Sequence, residues 1–78
     1  FEISPKFDVY PIPCKSLLSI SSDKSIIYIF VYDLQGRIIY QNNSSQEIDV
    51  SLWKNGVYIV KAHFTNGSIN SKKLIVQH

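Results

Sequence analysis

The stretch NGVYIVKAHFTNG, Asn55 to Gly67, decides how this chain folds. It opens and closes on Asn-Gly, a dipeptide suited to tight turns because glycine adopts positive φ at no steric cost. Between the turns the residues alternate. Tyr58, Val60, Ala62 and Phe64 fall on one side and Val57, Ile59, Lys61 and His63 on the other, as side chains do along an extended strand. Both sides are largely apolar, so the strand expects cover on one face and neighbours on the other. Asn66-Gly67 predicts a type I′ turn, in which both central residues need positive φ. SINSKKLIVQ (Ser68–Gln77) then returns as the hairpin partner.

Working outward, SIIYIFVYD (Ser25–Asp33) is a second strand apolar on both faces, with Ile27, Ile29 and Val31 on one and Tyr28, Phe30 and Tyr32 on the other. DLQGR follows. Asp33 suits the head of a turn, where its carboxylate accepts backbone N–H groups, and Gly36 suits the left-handed position of a bulged hairpin. RIIYQ is the return strand and NNSSQ a loop. EIDVSLW places Ile48, Val50 and Leu52 inward. SLLSIS (Ser16–Ser21) alternates Leu18 and Ile20 with serines, the pattern of a half-buried strand. Pro11 and Pro13 in DVYPIPCKS cannot donate ladder hydrogen bonds, which assigns that segment to a sheet edge or an extended lead-in. Strands recur every eight to twelve residues, with no helical period and no internal repeat. The expectation is an all-β fold, an immunoglobulin-like antiparallel β-sandwich of about seven strands, with a small open barrel as its rival.

A chain of 78 residues holds one domain at most. Its hydrophobic content of 45% against 18% charged residues argues for a packed core and against disorder. The net charge of +2 is small and its basic residues are scattered, which speaks against nucleic acid as a partner. No run approaches the ~20 apolar residues of a membrane span. A single cysteine, Cys14, excludes an internal disulfide. The chain opens at Phe1 with neither Met nor a signal-peptide pattern, so it reads as a piece of a longer protein. Residues 1–7 are expected to be a linker from an upstream domain, and residues 8–78 the domain itself.

Little in the sequence is built for bond-making. Cys14 with His63 or His78 supplies a nucleophile and a base but no third group to orient them. The histidines, cysteine and aspartates have no metal-ligand spacing. Asp33 and Asp49 suit turn and strand ends better than a calcium loop. Trp53, just before a turn, is expected to pack at the end of the sandwich rather than stack on a sugar. Asn43-Ser44-Ser45 and Asn66-Gly67-Ser68 match the glycosylation sequon, and Asn66-Gly67 already has a turn role. The expectation is no enzyme, no cofactor and no metal.

Four blocks in order resemble the C-terminal sorting domains of the type IX (Por) secretion system of Bacteroidetes, of the type A kind. YPIPCKSLLSI is similar to that family's opening Tyr-Pro-Asn-Pro…Leu-x-Ile, and VYDLQGRIIY to its Tyr-Asp-Leu-x-Gly-Arg/Lys hairpin. LWKNGVYIVKAHFTNG resembles its Leu-x-x-Gly-Val-Tyr-Ile-Val-Lys strand, and KKLIVQ its basic-then-apolar final strand. The resemblance spans Asp8 to Gln77. Ile12 stands where the family favours Asn, and Cys14 where it favours a small residue. The motif residues carried over are Tyr10, Pro11, Pro13, Asp33, Gly36, Arg37, Gly56, Val57, Tyr58, Lys61, Gly67, Lys72, Lys73 and Leu74. The resemblance implies a secretion signal at the C-terminus of exported cargo. It implies recognition in the periplasm by the outer-membrane type IX translocon and a shuttle protein, and removal at the cell surface by a sortase-like protease.

On such a domain the candidate recognition surface is the stripe Tyr28, Phe30 and Tyr32 with Ile59, rimmed by Lys61, Lys72 and Lys73. The competing reading packs those aromatics against each other across strands, or under the N-terminal segment. The final strand offers a second candidate, a sheet edge open to augmentation or guarded by its lysines. A fibronectin-like or carbohydrate-binding accessory module of a multidomain extracellular enzyme is the alternative function.

Overall fold

A computed structural model describes residues 6–43 and 47–78; residues 1–5 of the expected linker and 44–46 of the NNSSQ loop, with the first sequon, lie outside the described residues. Seven strands form among the described residues: β1 (Phe7–Tyr10), β2 (Leu17–Ser22), β3 (Ile26–Tyr32), β4 (Ile38–Asn42), β5 (Glu47–Asp49), β6 (Gly56–Phe64) and β7 (Ile69–Val76). They make two sheets, ordered β1-β2-β5 and β4-β3-β6-β7, and every strand pair is antiparallel. The fold is the expected all-β sandwich. Phe7, which the sequence reading placed in the upstream segment, opens β1 and is buried.

The alternation along β6 is realised, with Tyr58, Val60, Ala62 and Phe64 all buried. They meet Ile29 and Val31 of β3 and Leu74 and Val76 of β7, and across the sandwich Phe7, Val9, Leu18, Ile20 and Ile48 of the other sheet. The rings of Phe7 and Phe64 touch edge to face at 6.1 Å, joining the two layers. Among the described residues no buried side-chain polar atom lacks a partner.

Three local expectations are corrected. Ile27 is not in the core: the β3–β6 register shifts between Ile26 and Tyr28, and Ile27 is the surplus residue of a bulge. Ile26 packs on the core in its place, because one extra residue flips the parity that a strict alternation assumes. Leu52 is 96% exposed. Strand β5 ends at Asp49, whose carboxylate accepts the Ser51 N–H at 2.9 Å, while Trp53 N–H donates to the Val50 carbonyl at 3.0 Å. That turn throws Leu52 outward and brings Trp53 onto the core.

The third correction is the Asn66-Gly67 turn. Gly67 N–H donates to the Phe64 carbonyl at 3.0 Å and Phe64 N–H to the Ser68 carbonyl at 2.9 Å. The loop therefore has three residues closing on a left-handed glycine, Gly67 at φ 86°, in place of a two-residue type I′ turn. The Asp33–Arg37 hairpin uses the same pattern, with Gly36 N–H on the Asp33 carbonyl and Asp33 N–H on the Arg37 carbonyl, both at 3.0 Å. Gly36 has φ 84°, as its bulged hairpin required. Gly56 differs from both. Its φ of 158° borders on extended backbone, so it enters β6 rather than turning a corner.

Cys14 ties the two ends of the chain together. It is fully buried. Its N–H donates to the Ile75 carbonyl at 2.8 Å and its carbonyl accepts the Gln77 N–H at 2.9 Å, a parallel bridge beside Val76.

Candidate recognition surface

The four-stranded sheet buries one face and turns the other to solvent. Cross-strand register arranges the outer face in rows. Tyr28 of β3 is paired with His63 of β6, and His63 with Ile69 of β7. Next to them run Gln41, Phe30, Lys61 and Ser71, then Ile38, Tyr32, Ile59 and Lys73. The three-stranded sheet lies on the opposite side, so β1 does not cover these residues.

The aromatics touch each other while remaining open to solvent. Tyr28 and Phe30 have ring centroids 6.1 Å apart, and Phe30 and Tyr32 6.4 Å. His63 sets its ring edge-on to Phe30 at 5.1 Å. The Lys61 ammonium lies 5.3 Å from the centre of the Tyr32 ring, a cation–π contact that holds the charge over the sheet. Tyr28 is 42% exposed, and Phe30, Tyr32, Ile59 and Lys61 are half-buried. Lateral packing and an open surface thus coexist. Of the rim lysines, Lys61 and Lys73 share this face. Lys72 does not: it is paired with the inward Val60 and points to the other side of β7.

At one end of the face the β3–β4 hairpin stands over it. Asp33 organises that loop: Oδ1 accepts the N–H groups of Gln35 and Arg37, each at 3.0 Å, and Oδ2 pairs with the Arg37 guanidinium at 3.0 Å. The Arg37 N–H bond above all, with the Gln35 bond and the Arg37 charge, holds the Asp33 carboxyl below its ordinary value. A depression of about 370 Å³ opens between this loop and β6, lined by Tyr32, Asp33, Leu34, Gly36, Ile59 and Lys61. Around the corner, a cleft of about 540 Å³ brings Asp33 and Arg37 together with Gly56, Val57 and Tyr58.

Trp53 flanks that cleft, tilted between Tyr40 at 6.0 Å and Tyr58 at 5.3 Å. The Tyr58 hydroxyl donates to the Lys54 carbonyl at 2.6 Å. His78 N–H donates to Asn55 Oδ1 at 2.9 Å, and its ring Nε2 donates to the Trp53 carbonyl at 2.6 Å. The tryptophan is a packing residue at the sandwich end, as its position before a turn suggested. No local pattern in the sequence pointed to the His78 contacts.

The remaining motif residues are spread over the molecule. Tyr10, Pro11 and Pro13 are exposed at and after the end of β1. Gly67 lies at the far end of β6 from Gly56, and Leu74 is core. The β7 edge is partly closed: Cys14 occupies it at Ile75 and Gln77, and the Ser71 N–H is taken by its neighbour's Asn70 Oδ1 at 2.9 Å. Burial raises the Cys14 thiol pKa, leaving it protonated at neutral pH, the opposite of an activated nucleophile. No group of three His, Cys, Asp or Glu among the described residues is gathered as a metal site.

The fold is an all-strand module with an aromatic and basic outer face, and comparison with known proteins gives its class. The family described as "Secretion system C-terminal sorting domain" matches residues 8–77. The chain belongs to that family, and it is a type IX secretion sorting signal. It is also 32% identical over 72 residues to Beta-agarase D of Zobellia galactanivorans, covering 91% of this chain and 15% of that protein. The family is non-catalytic, and its members direct an attached upstream cargo out of the cell or to the surface through the type IX system. No helix among the described residues is long and apolar enough to cross a membrane.

Proposed function

We propose that the folded sandwich itself is what the secretion machinery reads. Cargo joined through the segment around residues 1–7 reaches the periplasm by a separate inner-membrane route. The domain, residues 8–78, then engages the outer-membrane translocon and its shuttle protein, and a sortase-like protease removes it at the surface. The domain contributes shape and surface and no catalysis of its own. The observation that carries this reading is the outer face of the four-stranded sheet, where Tyr28, Phe30, Tyr32, Ile59 and Lys61 lie side by side, open to solvent except at the end where the β3–β4 loop borders Tyr32, Ile59 and Lys61. A monomer that keeps such a patch open has a partner for it.

The test is a reporter carrying an inner-membrane export signal, fused ahead of these 78 residues and expressed in a host with the type IX system. The reporter is expected outside the outer membrane, and only when the system is intact. A reporter that stays in the periplasm with the domain folded would refute the proposal.

A further inference from the structure

The outer face carries charge of one sign. Its three rows hold Lys61 and Lys73 and not one carboxylate. The described acidic residues are elsewhere: Asp8, Glu47 and Asp49 on the three-stranded sheet, Asp23 and Asp33 in turns. Asp33 borders the face but is already engaged by Arg37 and two backbone N–H groups. At the same end, the depression of about 370 Å³ is lined by Tyr32, Leu34 and Ile59 together with Lys61, and Leu34 is 71% exposed.

We infer that this face docks a segment of a partner protein that inserts an apolar anchor side chain between Leu34, Tyr32 and Ile59 and sets carboxylates against Lys61 and Lys73. The inference rests on the sorting reading and names the chemistry of the surface that reads the signal. Charge selects the occupant. A second copy stacked face to face would gather four lysines in one interface with no carboxylate to offset them, and charges of one sign gathered in this way repel. A lipid surface calls for clusters of about four to eight basic residues, and the rows supply two lysines. The size fits a passing contact. Nine residues of β6 across four strands offer roughly 30 Å by 15 Å, about half the ~800 Å² per partner of a lasting complex. A cargo signal that must be released needs no more.

The test uses the full exported parent protein in its own host. Lys61→Glu with Lys73→Glu is expected to lower the exported fraction about tenfold or more, because two attractive contacts become repulsive. Lys72→Glu, the same charge change on the other side of β7, is expected to export normally. Lys73→Glu alone touches an exposed side chain, is expected to leave the fold intact by thermal melting, and should still reduce export measurably. Normal export of the double variant overturns the inference, as does an equal loss in Lys72→Glu, which would make net charge the cause. A parent that is still exported after deletion of residues 6–78 would instead overturn the sorting reading.

Discussion

Phe64→Ala separates a folded signal from a linear one. Phe64 is 1% exposed, and its ring meets Phe7 at 6.1 Å, so the substitution alters no surface and none of the motif residues. Truncating a buried phenylalanine costs about 3–5 kcal/mol in lost transfer energy and cavity. A chain of 78 residues commands about 4–12 kcal/mol in all, and one with a small core and no disulfide belongs toward the lower end. From about 6 kcal/mol, a loss of about 3–5 leaves 1–3 kcal/mol, or roughly 0.6–16% of molecules unfolded at 25 °C, against roughly 0.004% before. Phe64→Leu, at about 1 kcal/mol, should keep the domain folded. Urea denaturation followed by the fluorescence of Trp53, which sits between two tyrosines, reads the shift directly. Export of the parent protein should fall with Phe64→Ala by more than the unfolded fraction, because chaperones and proteases in the cell draw continuously on unfolded molecules, and hold with Phe64→Leu. If Phe64→Ala is destabilised as calculated and exports undiminished, residues are read in the unfolded chain, and the surface argument fails.

Gly36→Val and Gly67→Val should each cost about 1–2 kcal/mol, since both positions hold left-handed φ; unchanged denaturation midpoints would contradict the three-residue loop assignment. Asp33 and Asp49 are both held below the ordinary carboxylate value, Asp33 chiefly by the Arg37 N–H and Asp49 by the Ser51 hydroxyl and N–H. The unfolded chain therefore takes up protons first as pH falls. The stability these two lend is complete above about pH 4 and is lost as pH drops through their lowered folded values. Asp33→Asn with Asp49→Asn should flatten that acid limb of the melting curve, and an unaltered limb would argue against it. Cys14 should resist thiol reagents until the domain unfolds, and Cys14→Ala should export normally, because both of its strand-bridging bonds are made by backbone atoms. Removing residues 74–78 takes Leu74 and Val76 from the core and should abolish the folded fluorescence of Trp53. A truncated domain that still melts cooperatively would refute that, and loss of export on this deletion reports unfolding as much as loss of a signal.

What was legible in the sequence was whatever repeats with period two or depends on one residue's backbone preference. The β6 alternation, the Leu18 and Ile20 pair and the Gly36 bulge all belong to that class. What was illegible depended on residues far apart. Nothing local says that β3 spends Ile27 on a bulge, because the extra residue is chosen by the partner strand. Leu52 continues an apolar alternation that Asp49 breaks by bonding to Ser51, and either outcome suits the string EIDVSLW. Asn66-Gly67 announced a hairpin correctly and its loop length wrongly, since Thr65 serves equally as strand or loop. The recognition face was half legible: Tyr28, Phe30, Tyr32 and Ile59 do share it, but sorting Lys73 from Lys72 required the β6–β7 register. The depression under Leu34 needed the hairpin's position over β6, which no spacing encodes.

The bridge from Cys14 to the far end of β7 makes the shape conditional on the chain being whole. Within the domain Cys14 precedes six of the seven described strands, yet its backbone partners, Ile75 and Gln77, lie in and just after the last of them. Until those residues emerge, the edge beside Val76 has nothing to seal against and the core lacks its last aliphatic wall. A polypeptide cut short by a premature stop or a frameshift would carry no finished sandwich. A machine that accepts only the closed form would thereby pass only molecules translated at least as far as Gln77, with no separate proofreading step.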